Sequence, residues 1–138
     1  MKTIQLYSII ARGFIFISVL SLAYVAFLAL INPQSVMDLV GVTLPNTDAI
    51  SSIRGIYGGV GISICITLVY VGIYHVKEGL AFLSIFWGSY AVSRLITSFV
   101  DGALGEFGST WIIIEGFFCL LGIALLVLNR KFKTFSNE

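Results

Sequence analysis

Four predominantly apolar runs divide the chain, and each is long enough to cross a lipid bilayer. They cover residues 13–31, 50–74, 80–100 and 111–128. About 20 residues, rising 1.5 Å each, span a hydrocarbon core of roughly 30 Å. Backbone groups find no water in that core, so a spanning segment satisfies them internally as a helix. The sequence therefore predicts an all-α integral membrane protein, folded as a four-helix bundle with up-down topology.

The overall composition indicates that lipid is the solvent of this chain. Hydrophobic residues make up 58% of the sequence and charged residues 11%, whereas roughly a quarter of the residues in a soluble domain are charged. A length of 138 residues allows a single domain, residues 1–138. The net charge of +1 provides no basic face for a polynucleotide. The lipid bilayer is therefore an expected partner, and nucleic acid is not.

A cleaved signal peptide is the alternative for the first run, because a positively charged start precedes it and residues 21–23 (Ser-Leu-Ala) resemble a cleavage site. The apolar part of a signal is usually about 7 to 15 residues long, whereas this run continues to Ile31. We therefore expect a retained helix. It should end at Asn32 and Pro33, because proline lacks the N–H that would continue the helix.

Positive charges are distributed unevenly along the chain. The loops at residues 32–49 and 101–110 contain neither lysine nor arginine. Cytoplasmic flanks of membrane helices collect these residues, so we predict a multi-pass protein with both termini in the cytoplasm. The cations that predict this orientation lie before the first run, after the second and after the fourth: Lys2, Arg12, Lys77, Arg130, Lys131 and Lys133.

The first outer loop carries the signals of a short interfacial helix at about residues 33–40. Asn32 suits the N-cap, Pro33 the first helical position, and Gly41 a helix end with positive φ. Apolar side chains between them share one face, as expected of a helix lying in the interface: Val36, Met37, Leu39 and Val40. We favour a connector that seals the bundle; a lid over a cavity is the alternative.

Four charged residues lie within or at the ends of the predicted spans: Arg54, Arg94, Asp101 and Glu115. With both termini inside, all four fall in the outer half of the membrane. A charge at the centre of a membrane helix costs about 2.5 to 3.5 kcal/mol on insertion scales, so these groups must pair or contact water. Arginine can bind a carboxylate through two parallel hydrogen bonds.

These charges have two interpretations. As a neutral network they would hold the helices in register, because apolar packing supplies little specificity in lipid. As a polar pocket they would bind a ligand, since ionisable residues in membranes usually mark substrate or ion pathways. Tyr57, Tyr90 and Trp111 lie within about one turn of the charges and favour a pocket, although aromatic residues are also expected near an interface. We prefer the pocket.

The remaining chemistry-bearing residues favour structural roles. Gly55 and Gly59 form a GxxxG spacing, typical of close helix packing within a bundle or a dimer. Cys65 and Cys119 lie inside apolar runs and are interpreted as core residues. His75 is the only histidine, so neither a bis-histidine haem nor a three-ligand zinc site is expected. The sequence lacks the known catalytic motifs, and we expect no enzyme activity, cofactor or metal.

A family resemblance covers nearly the whole chain. It is carried by Ile53-Arg54-Gly55-Ile56-Tyr57-Gly58-Gly59, Arg94, Asp101-Gly102, Glu115, Asn32-Pro33 and Leu39-Val40-Gly41. The chain resembles an uncharacterised bacterial family of small four-helix membrane proteins, a domain of unknown function, and is similar in outline to DoxX-like membrane proteins. The resemblance implies the fold and a bacterial inner membrane location, and it implies no activity. The DoxX-like outline points to quinone or redox accessory roles, for which the residues give no independent indication.

Three functions from different classes follow. The preferred one is a binding or accessory protein whose charged site holds a small molecule or a lipid. The first alternative is a structural or assembly subunit, with a second copy or another membrane protein as partner. The second is a small proton-coupled dimeric transporter with Glu115 as the proton carrier. The candidate site residues are Arg54, Tyr57, Tyr90, Arg94, Asp101, Trp111 and Glu115.

Overall fold

Every element that the structure describes is helical. The computed structural model describes the backbone of residues 2–135 and the side chains of residues 3–129. The predicted all-α class is confirmed. In chain order the elements are α1 (Lys2–Ile31), α2 (Pro33–Asp38), α3 (Thr47–Ile53), a π-helical segment (Arg54–Val60), α4 (Gly61–Tyr74), α5 (Val76–Val100) and α6 (Glu106–Phe135).

Within the described part of the chain, four stretches of helix are long and apolar enough to cross a membrane, which confirms the predicted number of spans. The second span combines α3, the π segment and α4, which follow one another without a break. Each span begins before its apolar run, because a helix bonds its own backbone and does not have to end where the hydrocarbon ends. The four stretches are Thr3–Ile31, Thr47–Tyr74, Val76–Val100 and Glu106–Asn129.

Two of the positive charges that the sequence places outside the spans lie inside helices. Arg12 is an exposed residue of α1, and Lys77 lies in the first turn of α5. Long cationic side chains reach the interface from within a helix end, so the helix can continue past them. The side chains of Lys2 and of the cations at residues 130–133 lie outside the described residues.

The helix α2 follows its predicted start and ends slightly early. Pro33 occupies the first turn, and Asn32 stands at the N-cap with extended backbone but makes no side-chain capping bond. Gly41 has the predicted positive φ, 69°. The helix ends at Asp38, so the apolar pair at residues 39–40 is exposed instead of extending the buried face.

The spans pack as two antiparallel pairs. One pair is α1 with the second span, and the other is α5 with α6. Within each pair, close contacts run in opposite order along the two helices. In the first pair, three glycines of the second span lie so close to α1 that a Cβ added to each would contact a side chain there: Gly58 against Leu30, Gly61 against Ala26 and Gly72 against Ile15. In the second pair the contacts are Gly122 against Ser84, Gly88 against Cys119, and Arg94 against Glu115.

The glycines that contact α1 differ from the predicted GxxxG pair. A Cβ on Gly58 would lie 2.7 Å from Leu30 Cδ2, whereas one on Gly55 or Gly59 would meet nothing within 4 Å. The predicted Gly55–Gly59 contact is therefore wrong for the interior of the bundle. The reason is that the stripe facing α1 runs through Gly58, Gly61 and Gly72, which lie three and eleven residues apart on one helical face. Gly55 and Gly59 lie to one side of that stripe.

Most of the apolar core lies in one half of the bundle, which we call the core half. Its buried side chains come from α1, α4, α5 and α6: Ala11, Phe14, Ile15, Val19, Cys65, Leu68, Leu80, Leu83, Trp87 and Leu125. Polar contacts also join helices there. Trp87 Nε1 donates to Ser18 Oγ at 3.3 Å, and Tyr7 Oη donates to the Leu125 carbonyl at 3.0 Å. The core half therefore connects all four spans.

The opposite half, which we call the polar half, contains the 32–46 loop, the π segment, the second half of α5 and the start of α6. Its apolar cluster packs α2 onto α1: Ala29, Val36 and Met37, with Val25, Leu28, Leu44, Ile53 and Tyr57 against them. Within the described chain, no residue between 88 and 117 belongs to this cluster or to that of the core half. In the polar half, α5 and α6 are therefore not joined to α1 by apolar packing.

A single side chain organises the 32–46 loop. Gln34 Nε2 donates to Asp38 Oδ1 at 2.6 Å and to the Val42 carbonyl at 2.9 Å. Its Oε1 accepts the N–H of Leu44 at 2.9 Å. These bonds satisfy backbone groups that a loop would otherwise leave without partners. The ordered loop fits the connector that the sequence favours.

Candidate functional site

The core-facing stripes of α5 and α6 change from apolar to charged in the polar half. On α5, Leu83 and Trp87 are buried in the core, and Arg94 lies two turns beyond Trp87 on the same face. On α6, Phe118 packs against the core, and Glu115 precedes it by one turn. Two charges thus occupy positions that the helix geometry turns toward the rest of the bundle.

Arg94 and Glu115 form a two-pronged ion pair between α5 and α6. Arg94 Nε donates to Glu115 Oε2 at 2.7 Å, and Nη2 donates to Oε1 at 2.9 Å. Both distances are typical of charge-assisted hydrogen bonds. The Glu115 side chain is 2% exposed and the Arg94 side chain 21% exposed. The carboxylate is therefore enclosed, while part of the guanidinium remains accessible.

One aromatic ring of α6 lies beside the guanidinium, and a second ring lies beside the first. The Arg94 Cζ atom lies 5.6 Å from the centroid of the Phe107 ring, within the range of a cation–π contact. The Trp111 ring lies 6.0 Å from that of Phe107. Together with Glu106 and Thr110, these rings line an open groove of about 340 Å³. Phe107 is absent from the predicted site, although its position one turn before Trp111 places it on the same face.

Tyr57 and Tyr90 bring hydroxyl groups to the same region. The side chains of Tyr57, Glu115 and Arg94 lie within electrostatic range of Tyr90, which places the four in one neighbourhood. Tyr90 is 41% exposed, and its ring packs on that of Phe86 at 5.1 Å. Neither tyrosine hydroxyl has a hydrogen-bond partner among the residues that the structure describes. Both hydroxyls therefore retain their bonding capacity.

Arg54 stands apart from the ion pair. Its Nε donates to the carbonyl of Leu30 at 3.0 Å, close to the C-terminus of α1. Carbonyls at a helix C-terminus lack intrahelical partners, and a cation is favourable at that end of the helix dipole. Arg54 therefore caps α1, and among the described side chains it forms no ion pair.

Asp101 also lies apart from the pair. It follows the last residue of α5, where its N–H donates to the Thr97 carbonyl at 2.8 Å. Its side chain is exposed and has no ion-pair partner in the described part of the chain. Asp101 shares a helical face with Arg94 but lies about 10 Å further along the axis, which is too far for a direct bond. The structure thus groups Tyr57, Tyr90, Arg94, Glu115 and Trp111.

The described residues offer little metal chemistry. Their His, Cys, Asp and Glu side chains form no group that could hold a metal ion. Cys65 and Cys119 are free thiols. The Cys65 thiol donates to the Val19 carbonyl oxygen, with an S–O distance of 3.7 Å. The two thiols are accounted for by packing, as the sequence predicts.

Four membrane-length helices with a buried ion pair between the last two define the class of protein: a multi-pass membrane protein. The chain belongs to the family described as a domain of unknown function (DUF4345), which it matches over residues 10–126. No curated protein and no solved structure matches the chain. The predicted membership in a family of unknown function is confirmed. The likeness to DoxX-like proteins and the bacterial origin stay predictions.

Proposed function

We propose that the chain is a multi-pass protein of the bacterial inner membrane, with up-down topology and both termini in the cytoplasm. The support comes from the cation-free loops at residues 32–49 and 101–110, since Lys and Arg collect on the cytoplasmic side. In this orientation the polar half faces the outer leaflet.

Labelling of single cysteines tests this orientation. The background is Cys65→Ala/Cys119→Ala, into which Thr43→Cys or Lys77→Cys is introduced separately. A membrane-impermeant maleimide added to intact cells should label the first variant, and should label the second only after permeabilisation. The cysteine-free background is the control. The opposite pattern would overturn the proposed orientation.

Within this topology the protein binds a small molecule or a lipid in its polar half. The observation that carries this function is the unequal exposure of the ion pair: 2% for Glu115 and 21% for Arg94. A purely structural ion pair gains most when water is excluded from both partners. Here one edge of the guanidinium stays accessible beside Phe107, a residue of the groove lining, and Tyr90 is also partly exposed.

Energetics also favour a binding site over a purely structural ion pair. Taking charges out of water costs several kcal/mol per ion, and a well-packed apolar pair of similar volume is often as stable. An apolar pair could therefore replace Arg94 and Glu115 without loss of cohesion between α5 and α6. Ionisable residues inside a membrane span are expensive to keep, and their usual role is contact with a ligand or an ion.

A double variant distinguishes ligand binding by the ion pair from a purely structural role. Arg94→Leu/Glu115→Leu should fold, because both charges are removed together, and should lose any molecule that co-purifies with the wild-type protein in mild detergent. Bound molecules are identified by native mass spectrometry. The matched control is Lys77→Gln/Glu78→Gln, which removes one cation and one anion from the same helix at its other end. Unchanged retention in the folded Leu/Leu variant would overturn the binding function.

A structural or assembly role is the second candidate function, and one observation favours it. Gly55 and Gly59 form a GxxxG face with nothing within 4 Å of either ideal Cβ position, and such faces admit close helix contact. Gly55→Leu/Gly59→Leu should abolish cross-linked oligomers or a co-purifying partner if this face assembles. Gly116→Leu is the control, because Gly116 is equally open. Equal cross-linking in all three proteins would exclude this role for the face.

A further inference from the structure

We propose that the polar half binds the acceptor-rich head of a zwitterionic glycerophospholipid. The phosphate and ester oxygens would lie at Arg94 and Trp111, with the acyl chains in the surrounding bilayer. This ligand class rests on the binding function proposed above. The argument depends on which hydrogen-bonding groups of the site already have partners.

The hydrogen-bonding groups of Arg94 that have no partner are all donors. Its Nε and one Nη2 hydrogen are used by Glu115. The guanidinium carries further N–H groups on Nη1 and Nη2 and has no acceptor. Those groups have no partner in the described part of the chain, and the side chain is 21% exposed. Arg94 can therefore engage an oxygen acceptor without releasing Glu115.

The neighbouring side chains add more donors. The Trp111 indole N–H can only donate, and it has no partner among the described residues. The hydroxyls of Tyr57 and Tyr90 are likewise without bonds and can donate. Polar groups in an apolar environment cost free energy until they are bonded. A ligand that satisfies this site must therefore present several acceptor oxygens.

The Glu115 carboxylate is not available to a ligand, and the second carboxylate near the site, that of the exposed Glu106, lies in the groove lining. Both Glu115 oxygens accept from Arg94, and the side chain is 2% exposed. The site thus combines a neutral ion pair with a surplus of donors. A zwitterionic head supplies phosphate oxygens without adding net charge, which matters because an uncompensated charge inside the membrane is costly.

The surroundings of the site indicate a ligand with an apolar body. Arg94 lies within the third candidate span, about 9 Å from the end of α5. Phe99 is 86% exposed and Ile113 71% exposed, so the approach on α5 and α6 is apolar. Apolar flanks with a few polar groups are typical of sites for amphipathic molecules. A free phosphate ion shares the acceptor chemistry but gains nothing from these flanks.

Fluorescence quenching tests the assignment, because the chain contains 2 tryptophans and Trp111 lines the site. In Trp87→Phe, Trp111 is the sole reporter. Titration of this variant in detergent with phosphatidylethanolamine brominated on its acyl chains should give quenching that saturates near one lipid per protein. If Trp87→Phe does not fold, the difference between wild type and Trp111→Phe isolates the same signal.

The controls distinguish the ligand class from the binding function. The saturable component should disappear when Arg94→Leu/Glu115→Leu is added and persist with Lys77→Gln/Glu78→Gln. Suppression of quenching by millimolar inorganic phosphate would identify a soluble phosphate and overturn the lipid assignment. Co-purified molecules that depend on the ion pair, without saturable lipid quenching, would overturn the lipid class and leave the binding function standing. Lipid quenching and co-purified molecules that both survive the Leu/Leu variant would overturn both proposals.

Discussion

The core half and the polar half use the same four spans but are held together by different forces. In the core half, buried apolar side chains of α1, α4, α5 and α6 form one cluster. In the polar half, the apolar cluster of the described residues packs α2 onto α1 and Tyr57, whereas α5 and α6 meet through Arg94 and Glu115. The core half therefore stabilises the fold by packing, and the polar half presents polar groups.

This division has a physical basis. Lipid tails are as apolar as leucine, so packing in the core half depends on close van der Waals contact. Charges in such a packed region have a free-energy cost of desolvation, and they are tolerated where a partner or water is near. A bundle that is closed at one end can therefore keep a polar, partly open region at the other.

The largest expected effect comes from breaking the ion pair on one side. Glu115→Leu leaves Arg94 without its partner, and removing one member of a buried pair typically costs about 3 to 5 kcal/mol. We expect a loss of this size in the free energy of unfolding, measured by reversible denaturation in mixed micelles. Most of it should return in Arg94→Leu/Glu115→Leu. Wild-type stability of the single variant would show that the pair does not hold the polar half together.

A smaller effect is expected from a cavity in the core half. Leu83 is 0% exposed and Leu95 is 46% exposed. Leu83→Ala should therefore lower the free energy of unfolding by about 2 kcal/mol through lost packing. Leu95→Ala, on the same helix, should change it by less than about 0.5 kcal/mol. Equal losses in the same unfolding assay would contradict the contrast between the halves.

Overpacking of the α1 contact should cost slightly less. A Cβ on Gly58 would lie 2.7 Å from Leu30 Cδ2 and 2.8 Å from its Cγ, so Leu30 must move. Gly58→Ala should cost about 1 to 2 kcal/mol, whereas Gly59→Ala should be neutral or slightly stabilising, because its Cβ meets open space. Thermal unfolding of both variants in one detergent measures the difference. A reversed order would show that Gly59, and not Gly58, contacts α1.

The smallest effect is expected from Tyr7→Phe. This change removes the bonds from Tyr7 Oη to the Leu125 carbonyl and from Asn129 Nδ2 to Tyr7 Oη, each 3.0 Å long. Hydrogen bonds between membrane helices average about 0.6 kcal/mol. The free energy of unfolding should fall by about that amount per bond. A loss as large as that of Leu83→Ala would show that polar contacts, and not packing, dominate the core half.

The residues differ in how far the sequence could predict them. Pro33 and Gly41 follow the prediction because their effects are local: proline lacks a donor, and glycine tolerates positive φ. The role of Arg54 could not be predicted, because its acceptor is the Leu30 carbonyl, a backbone group on another helix. Spacing places Gly58, Gly61 and Gly72 on one helical face, but only the packing shows that this face, and not that of the GxxxG pair, contacts α1.

The sequence alone determined the number of membrane-length helices and the approximate position of each charge along its helix. Both depend on hydropathy along the chain, because unsatisfied backbone groups in lipid force each apolar run into a helix. Tertiary structure alone decided that Arg94 pairs with Glu115, that Arg54 caps α1, and that Phe107 joins the site. These contacts depend on the rotation and spacing of helices relative to one another. The residue pattern within a single helix does not predict that arrangement.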